Sequence, residues 1–153
     1  MSFTVLIVGT LDTKGSETAF LKEQIEQRGN SVVVMDVGVL GEAPFVPDIL
    51  RSEVAAAAQE DVAALGAQGD RGKAVTAMTR GAEELAKQLY DRGRFQAVIG
   101  MGGSAGTTIA TAAMRALPLG VPKAMISTLA AGGPASKISD ITTCGTRPPR
   151  GFV

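Results

Sequence analysis

The fold of this chain is decided by a stretch near its start, Thr4-Val-Leu-Ile-Val-Gly-Thr-Leu-Asp-Thr-Lys-Gly-Ser16. Its apolar, β-branched beginning is typical of a strand that is buried on both faces, as in a parallel sheet. The pattern then predicts a loop over Gly9–Gly15, a helix over Ser16–Arg28 and a second buried strand over Ser31–Val37. Because strand, loop, helix and strand in this order form a βαβ unit, the opening of the chain predicts a parallel α/β fold.

The rest of the chain continues this alternation after an irregular excursion over residues 38–51. The pattern predicts one or two short helices within Ser52–Leu65, a helix over Lys73–Arg92, a strand over Phe95–Gly100, a helix over Thr107–Ala116 and a strand over Pro122–Leu129. We therefore expect an α/β, Rossmann-like, three-layer fold with a mainly parallel sheet. The expected core contains Val5, Ile7, Val33, Val98, Ile99 and Ile126.

Two segments of different character are expected along the chain. Residues 1–131 carry the alternating strands and helices and form one α/β domain. Residues 132–153 are Gly- and Pro-punctuated without periodicity and are expected to form an irregular carboxyl-terminal tail, truncated or atypical.

Composition narrows the function classes. Fifteen basic and fifteen acidic side chains cancel, so no net field favours nucleic acid or an anionic membrane surface as a partner. No apolar run approaches the roughly 18 residues that a membrane span needs. The chain has no histidine, which excludes Ser-His-Asp and Cys-His catalysis. Cys144 is the sole cysteine, which excludes an internal disulfide and favours a cytoplasmic location.

The strongest local signal is Gly100-Met-Gly-Gly-Ser-Ala-Gly-Thr-Thr108, between a predicted strand and a predicted helix. Consecutive glycines let backbone N–H groups converge on an anion, and a helix amino end adds partial positive charge. We expect phosphate or carboxylate binding here; the alternative is a tight turn with glycines for packing. A match to the dinucleotide fingerprint through Gly100, Gly102 and Ala105 is weak, because no acidic residue ends the next strand.

The loop after the first strand is the second signal. It offers a cation, a carboxylate and hydroxyls at the carboxyl end of a strand, where open α/β sheets bind ligands. The order Lys14-Gly15-Ser16 differs from the Gly-Lys-Ser/Thr of a Walker A loop. Lys14 is a candidate phosphate contact and Asp12 a candidate magnesium ligand. The equally weighted alternative is that Asp12 or Thr13 caps the helix.

Three further positions lie at predicted strand or helix ends. Asp36 either bonds a ribose hydroxyl, as acids at this place do in dinucleotide folds, or begins a turn. The run Asp70-Arg71-Gly72-Lys73 places two cations beside a glycine, which would suit a binding site, but a plain helix start with Asp70 as N-cap is favoured. Ser127 and Thr128 place two hydroxyls at the sheet edge that carries the two loops.

Four ordered motifs carry a resemblance to a known family. They are Gly9-Thr-Leu-Asp-Thr-Lys-Gly-Ser-Glu17, Asp70-Arg-Gly-Lys-Ala74, Gly100-Met-Gly-Gly-Ser-Ala-Gly-Thr107 and Pro118-Leu-Gly-Val-Pro-Lys-Ala-Met-Ile-Ser-Thr128. Together they resemble the Tm-one-like ATP-binding family, named for a plant inhibitor of tomato mosaic virus replication. The resemblance spans Val5 to about Ala131 and implies a Rossmann-like domain that binds ATP.

The resemblance also implies which residues belong to the nucleotide site. They are Thr10, Asp12, Thr13, Lys14, Gly102, Gly103, Ser104, Ala105, Gly106, Thr107, Ser127 and Thr128. Ala105 departs from the family pattern, in which glycine is usual, and its methyl group fits only if its φ is negative. Family members continue into a second α/β half, so we expect this chain to be the truncated first half of a longer protein.

Two functions are therefore weighed. The first is an ATP-binding domain. The alternative is an assembly or interaction module of a larger α/β protein, without catalysis of its own, whose exposed Ala/Gly-rich face is covered by a second copy or by the missing carboxyl-terminal half. The sequence identifies no general base, so it assigns no enzymatic reaction.

Overall fold

The computed structural model describes residues 2–129. Its elements are β1 (Thr4–Gly9), α1 (Leu11–Glu26), β2 (Ser31–Asp36), α2 (Arg51–Ala57), α3 (Val62–Ala67), α4 (Arg71–Asp91), β3 (Ala97–Gly102), α5 (Ser104–Ala116) and β4 (Lys123–Ser127). The expected tail over residues 132–153, which includes Cys144, lies outside the described residues. Among the helices that are described, none has the length and apolar content needed to cross a membrane.

The four strands form one parallel sheet in the order β2-β1-β3-β4. The chain leaves β1 for β2 on one side, and then crosses back over β1 to β3 on the other. This reversal creates a switch point between β1 and β3, the place where open α/β sheets bind ligands. The registers align the strand ends, with Gly9 opposite both Asp36 and Met101, and Gly102 opposite Ser127.

Helices cover both faces of the sheet and make three layers. On one face lies α1, whose Thr18 hydroxyl donates to the Met101 sulfur at 3.7 Å. The main core fills the other face, beneath α2, α4 and α5. Its fully buried large side chains include Leu6, Val8, Met35, Val54, Met78, Phe95, Ile109 and Met114. The expected α/β, three-layer, parallel arrangement is confirmed.

The expected core is only partly confirmed. Ile7, Val33 and Val98 are buried, but Val5 and Ile99 are half-buried and Ile126 is 40% exposed. Ile126 lies on the α1 face of β4, whereas α1 contacts β1, β2 and β3. Periodicity marks a strand as apolar on both faces, but it does not show whether a helix reaches each face.

Two element boundaries differ from the sequence expectation in a way that affects the site. Helix α1 begins at Leu11 and not at Ser16, because the Thr10 carbonyl accepts from the N–H groups of Thr13 at 3.2 Å and Lys14 at 2.7 Å. A kink at Lys14, with φ of −127°, separates this first turn from the rest of α1. Helix α5 begins at Ser104 and not at Thr107, directly after β3. The connections from β1 to α1 and from β3 to α5 are therefore shorter than the loops that their glycines predict.

The helices between β2 and β3 follow the expected pattern. The stretch from residue 52 to residue 65 gives two short helices, α2 and α3. Asp61 caps α3 through the Ala64 N–H at 2.8 Å, and Asp70 caps α4 through the Lys73 N–H at 3.0 Å. The expectation that Asp70 is an N-cap is confirmed. The cap fixes the start of α4 at the sheet edge that carries the carboxyl ends of the strands.

Candidate functional site

A cavity of about 510 Å³ opens at the switch point. It lies between two strand-to-helix transitions, the β1–α1 junction (residues 9–14) and the β3–α5 junction (residues 102–106). Most of the predicted site residues line it, namely Thr10, Asp12, Thr13, Lys14, Gly103, Ser104, Ala105 and Gly106. Its volume is within the range of roughly 300–1,000 Å³ that small-molecule sites occupy.

Backbone donors dominate the β3–α5 junction. The Thr107 N–H donates to the Gly103 carbonyl at 2.9 Å and closes the first turn of α5. The N–H groups of Ser104, Ala105 and Gly106 precede this bond and have no partner within the helix. Ala105 has a negative φ, since Gln59 is the one non-glycine residue at positive φ in the described part of the chain. The methyl group of Ala105 therefore fits, as its departure from the family pattern requires.

Glycine is needed at this junction for packing. A side chain at Gly102 would meet the backbone of Gly106, so the pair lets α5 lie directly against the end of β3. Gly103 differs, because its φ is −82° and the nearest neighbour of an added Cβ would be the Thr128 hydroxyl at 3.6 Å. Close packing of α5 on β3 thus explains why residue 102 is a glycine. The backbone N–H donors of the cavity lining come from the residues that follow it, Ser104, Ala105 and Gly106.

Side chains dominate the β1–α1 junction, and most of them already have partners. The hydroxyls of Thr10 and Thr13 lie 2.8 Å apart. The Lys14 ammonium donates to the Glu17 carboxylate at 2.9 Å. This hydrogen bond holds the pKa of Glu17 below its usual value. Lys14 therefore reaches the cavity rim with its charge shared.

Asp12 joins the first turn of α1 to the loop after β2. Its Oδ2 accepts from the N–H groups of Val39 at 3.2 Å and Leu40 at 3.0 Å. Its Oδ1 is buried and has no hydrogen-bond partner among the described residues. The alternative in which Asp12 or Thr13 caps α1 is wrong, because Thr10 is the N-cap and no side chain supplies a cap bond.

Asp36 is a buried structural residue and does not face the cavity. It is 1% exposed, and its Oδ1 accepts from the N–H groups of Leu11 at 3.1 Å and Gly38 at 2.8 Å. Its Oδ2 pairs with Nε of Arg51 at 2.7 Å. The ribose alternative for Asp36 therefore finds no support, since both oxygens are occupied inside the protein.

Arg51 extends this anchoring to the cavity wall. Its Nη1 donates to the carbonyls of Leu40 at 3.2 Å and Gly41 at 2.8 Å. The Asp36–Arg51 pair therefore fixes the start of α1 and the loop over residues 38–41 together. Because Asp12 holds the same loop from the other side, this wall is set before any ligand arrives.

Four of the predicted site residues lie outside the cavity lining: Gly102, Thr107, Ser127 and Thr128. The hydroxyls of Thr107 and Ser127 lie 2.6 Å apart, and the Thr128 N–H donates to the Gly102 carbonyl at 3.2 Å. These contacts connect the end of β4 to α5. Thr107, Ser127 and Thr128 thus hold the β3–α5 junction against the end of β4.

Sequence reasoning missed the apolar wall of the cavity. It consists of Val37, Val39, Leu40, Leu65, Ala74, Val75 and Ile109. The wall forms because α3 packs on the loop after β2, with the Val39 carbonyl 3.4 Å from the position of a Cβ on Gly66. No local pattern marks these residues, since they become neighbours only in the folded chain.

Arg71 also lines the cavity, although it is not among the predicted site residues. The run from Asp70 to Lys73 predicts a helix start, which the structure confirms. The same start turns Arg71 toward the cavity, where its Nη2 donates to the Ser104 hydroxyl at 2.8 Å. The amino ends of α1, α4 and α5 thus meet around one space. Lys14, Arg71, Asp12 and Asp70 all line this space, and both carboxylates already accept backbone N–H groups.

Comparison with known proteins gives a family match over most of the chain. The family model described as "Uncharacterised protein family (UPF0261) N-terminal domain" matches residues 3–144. A UPF0261 protein of Clostridium tetani is 45% identical over 132 residues, which are 86% of this chain and 33% of that protein. A UPF0261 protein of Rhizobium meliloti is 45% identical over 139 residues, 90% of this chain and 34% of that protein.

A plant relative is more distant. The ToMV resistance protein Tm-1(GCR237) of Solanum lycopersicum is 33% identical over 152 residues, which cover 88% of this chain and 20% of that protein. The chain spans about a third of the length of the bacterial relatives that it matches. The family match includes all four motifs and continues past Ala131 to residue 144. The resemblance found in the sequence is thereby confirmed, and the chain belongs to the UPF0261 family through its N-terminal domain.

Proposed function

We propose that this domain binds ATP in the cavity at the switch point. The observation that carries the proposal is the meeting of three helix amino ends, those of α1, α4 and α5, around one cavity with an apolar wall. Helix amino ends present N–H donors and partial positive charge, so they favour phosphate. The resemblance to the ATP-binding family supports a nucleotide as this anion.

The phosphates belong at the β3–α5 junction. The N–H groups of Ser104, Ala105 and Gly106 point toward the amino end of α5, and the Thr10 side chain lies 3.5 Å from the position of a Cβ on Gly106. The two junctions are thus close enough to contact one phosphate chain together. Such close approach of backbone to a polyphosphate is the usual reason for small residues at a switch point.

The base and sugar of the nucleotide belong at the side of the cavity formed by Val39, Leu40 and Leu65. Asp12 connects this side to the phosphate side, because its carboxylate holds Val39 and Leu40 while Thr10, two residues earlier, lies beside Gly106 of the β3–α5 junction. Leu40 is 67% exposed, and Leu65 lines the cavity beside it. Covering apolar surface of this kind with a flat base is favourable, at about 25 cal/mol per Å² buried.

Asp12 is the residue that would hold Mg²⁺ with the nucleotide. Mg²⁺ is usually bound by one or two carboxylates together with substrate phosphates and waters. Asp12 fits this role through its Oδ1, which is buried and unpartnered among the described residues. In residues 2–129 no three acidic, histidine or cysteine side chains are grouped so that they could hold a metal ion, so the phosphates would supply the remaining negative charge around Mg²⁺. The ion would neutralise phosphate oxygens.

Calorimetric titration with ATP, ADP and NAD, with and without Mg²⁺, tests the proposal. We expect ATP and ADP to bind and NAD to bind more weakly or not at all. A matched pair of variants places the ligand. Ala105→Glu adds a carboxylate to the cavity lining, whereas Thr108→Glu adds the same charge to an exposed position on α5.

The two variants separate local from general charge effects. Ala105→Glu should weaken ATP binding at least about 10-fold, the effect of roughly 1.4 kcal/mol of repulsion, and Thr108→Glu should leave it nearly unchanged. Failure of the parent chain to bind any adenine nucleotide would refute the proposal. Equal effects of the two variants on ATP affinity would show that the nucleotide does not bind in this cavity.

Assembly is the second candidate function, and one observation favours it. Ile126 is 40% exposed on a face of β4 that α1 does not reach. A second copy of the chain covering this face would bury it, as apolar interface cores do. Sedimentation velocity over a 100-fold range of concentration tests this candidate. A concentration-dependent dimer that Ile126→Asp dissociates is expected, and a monomer at every concentration would contradict it.

A further inference from the structure

Arg71 stands in an electrostatically unfavourable place. It is the first residue of α4, and its guanidinium reaches the first residue of α5, where its Nη2 donates to the Ser104 hydroxyl at 2.8 Å. Helix amino ends carry partial positive charge and stabilise anions, so a cation beside two of them is disfavoured. The hydroxyl that holds Arg71 is neutral and cannot offset this charge.

The other basic side chains near the cavity have different partners. Lys14 is paired with Glu17 at 2.9 Å, and Arg51 is paired with Asp36 at 2.7 Å. Lys73 points to the Gln68 side chain at 3.0 Å and does not line the cavity. No carboxylate of residues 2–129 lies within 4.0 Å of the Arg71 guanidinium. Arg71 is therefore a cation in the cavity lining whose charge the described part of the chain leaves unpaired.

A phosphate would complete this arrangement. The planar guanidinium can donate two parallel N–H bonds to one phosphate group, whereas a lysine ammonium acts as a point charge. An anion between α4 and α5 would also satisfy the donors of Ser104 and Ala105. The Ser104 hydroxyl would then be released from Arg71 and could donate to the same phosphate.

We infer that Arg71 is the residue that makes the site selective for nucleoside polyphosphates over nucleosides, by donating to the phosphate chain from the start of α4. This inference rests on the proposed nucleotide function and specifies its ligand class. Arg71 therefore lowers the stability of the ligand-free domain and raises its affinity for phosphate.

Two readouts on the same variants test the inference. The variants are Arg71→Ala, Arg71→Lys and the control Lys73→Ala, which removes a cation from the same helix turn outside the cavity. Each is titrated with ATP, ADP, AMP and adenosine, and each is unfolded thermally without ligand. Circular dichroism checks that the fold is retained, which is expected because Arg71 is exposed.

Arg71→Ala should weaken ATP binding about 10- to 100-fold, as expected for the loss of a hydrogen bond to a charged group, and should change adenosine binding less than about twofold. The ligand-free Arg71→Ala domain should melt about 1–4 °C higher, since a cation is removed from helix amino ends. Arg71→Lys should fall between parent and Arg71→Ala in ATP affinity, because it keeps the charge without the paired donors. Lys73→Ala should retain the affinity of the parent for ATP.

The possible failures are distinguishable. A parent chain that binds none of the four ligands overturns the proposed function and the inference together. A parent that binds ATP, with Arg71→Ala binding it equally well, overturns the inference alone. Equal losses of ATP and adenosine affinity in Arg71→Ala also overturn it, because they would show that Arg71 shapes the cavity and does not read phosphate.

Discussion

The two junctions that border the cavity solve the same geometric problem differently. At the β1–α1 junction the polar side chains already have partners within the protein: Thr10 and Thr13 bond each other, Lys14 bonds Glu17, and Asp12 bonds the loop after β2. At the β3–α5 junction small residues let the helix lie on the strand, and the backbone N–H groups remain available. A junction rich in polar side chains is thus mainly a structural anchor here, whereas the glycine-rich one presents the donors.

The largest expected effect comes from removing the anchor of the β1–α1 junction. Asp36→Ala leaves Arg51 without its carboxylate and the N–H groups of Leu11 and Gly38 without their acceptor. Removal of one partner from a buried ion pair costs about 3–5 kcal/mol, so the free energy of unfolding in urea should fall by that amount. Asp48→Ala is the control, because Asp48 is exposed and accepts one N–H, from Val34 at 2.8 Å. A similar loss for both variants would contradict the anchoring role.

A smaller effect is expected at the β3–α5 junction, and there it should depend on one position. Gly102→Ala forces a methyl group onto the backbone of Gly106 and should lower the free energy of unfolding by about 1–3 kcal/mol, as overpacking does. Gly103→Ala has space and a negative φ, so its cost should stay below about 1 kcal/mol. Chemical denaturation of both variants makes the comparison. If Gly103→Ala were the more damaging, the assignment of close packing to Gly102 would be wrong.

The smallest effect is expected from Lys14, whose charge is already shared. Lys14→Ala should weaken ATP binding about two- to fivefold, in the range of an exposed ion pair, and should leave adenosine binding unchanged. Lys22→Ala is the matched control, since Lys22 pairs with Glu26 on the same helix at 3.8 Å, away from the cavity. If Lys14→Ala weakened ATP binding more than Arg71→Ala did, the expectation that Arg71 contributes more to ATP affinity than Lys14 would be wrong.

Acid should weaken the ion pair between Lys14 and Glu17. The hydrogen bond from Lys14 lowers the pKa of Glu17 from its usual value of 4.5. The contribution of the pair is therefore complete above pH 4.5 and is lost as the pH falls through the lower value in the folded chain. In that acid range Lys14→Ala and the parent should approach each other in stability, which thermal melts between pH 3 and pH 6 would show.

The parts of the fold with strong periodicity could be predicted, and those that depend on distant packing could not. The apolar runs of β1 and β2 gave their positions closely. Gly15 suggested a loop where α1 already begins, because the Thr10 carbonyl closes a first turn that no local pattern reveals. Ile126 read as a core residue, although helix coverage decides its exposure.

The candidate site shows the same division. Residues of the two junctions were identified because glycines, hydroxyls and charges follow strand ends in the sequence. Leu65 and Val75 were not, because they reach the cavity through α3 and α4, whose packing is a long-range property. Arg71 was visible as part of a helix start, but only the crossing of α4 and α5 places it beside Ser104.

The bonds from Asp12 to the loop after β2 also give the domain an internal reporter of ligand binding. The amides of Val39 and Leu40 are tied to a carboxylate of the cavity, and their exchange with solvent deuterium therefore records how firmly that carboxylate holds them. A ligand that leaves Asp12 in place should slow this exchange by covering the wall. A ligand whose metal ion draws Asp12 toward the phosphates should quicken it at these two amides alone. The direction of change at two backbone positions thus distinguishes nucleotide bound with the ion from nucleotide bound without it, in the unaltered chain.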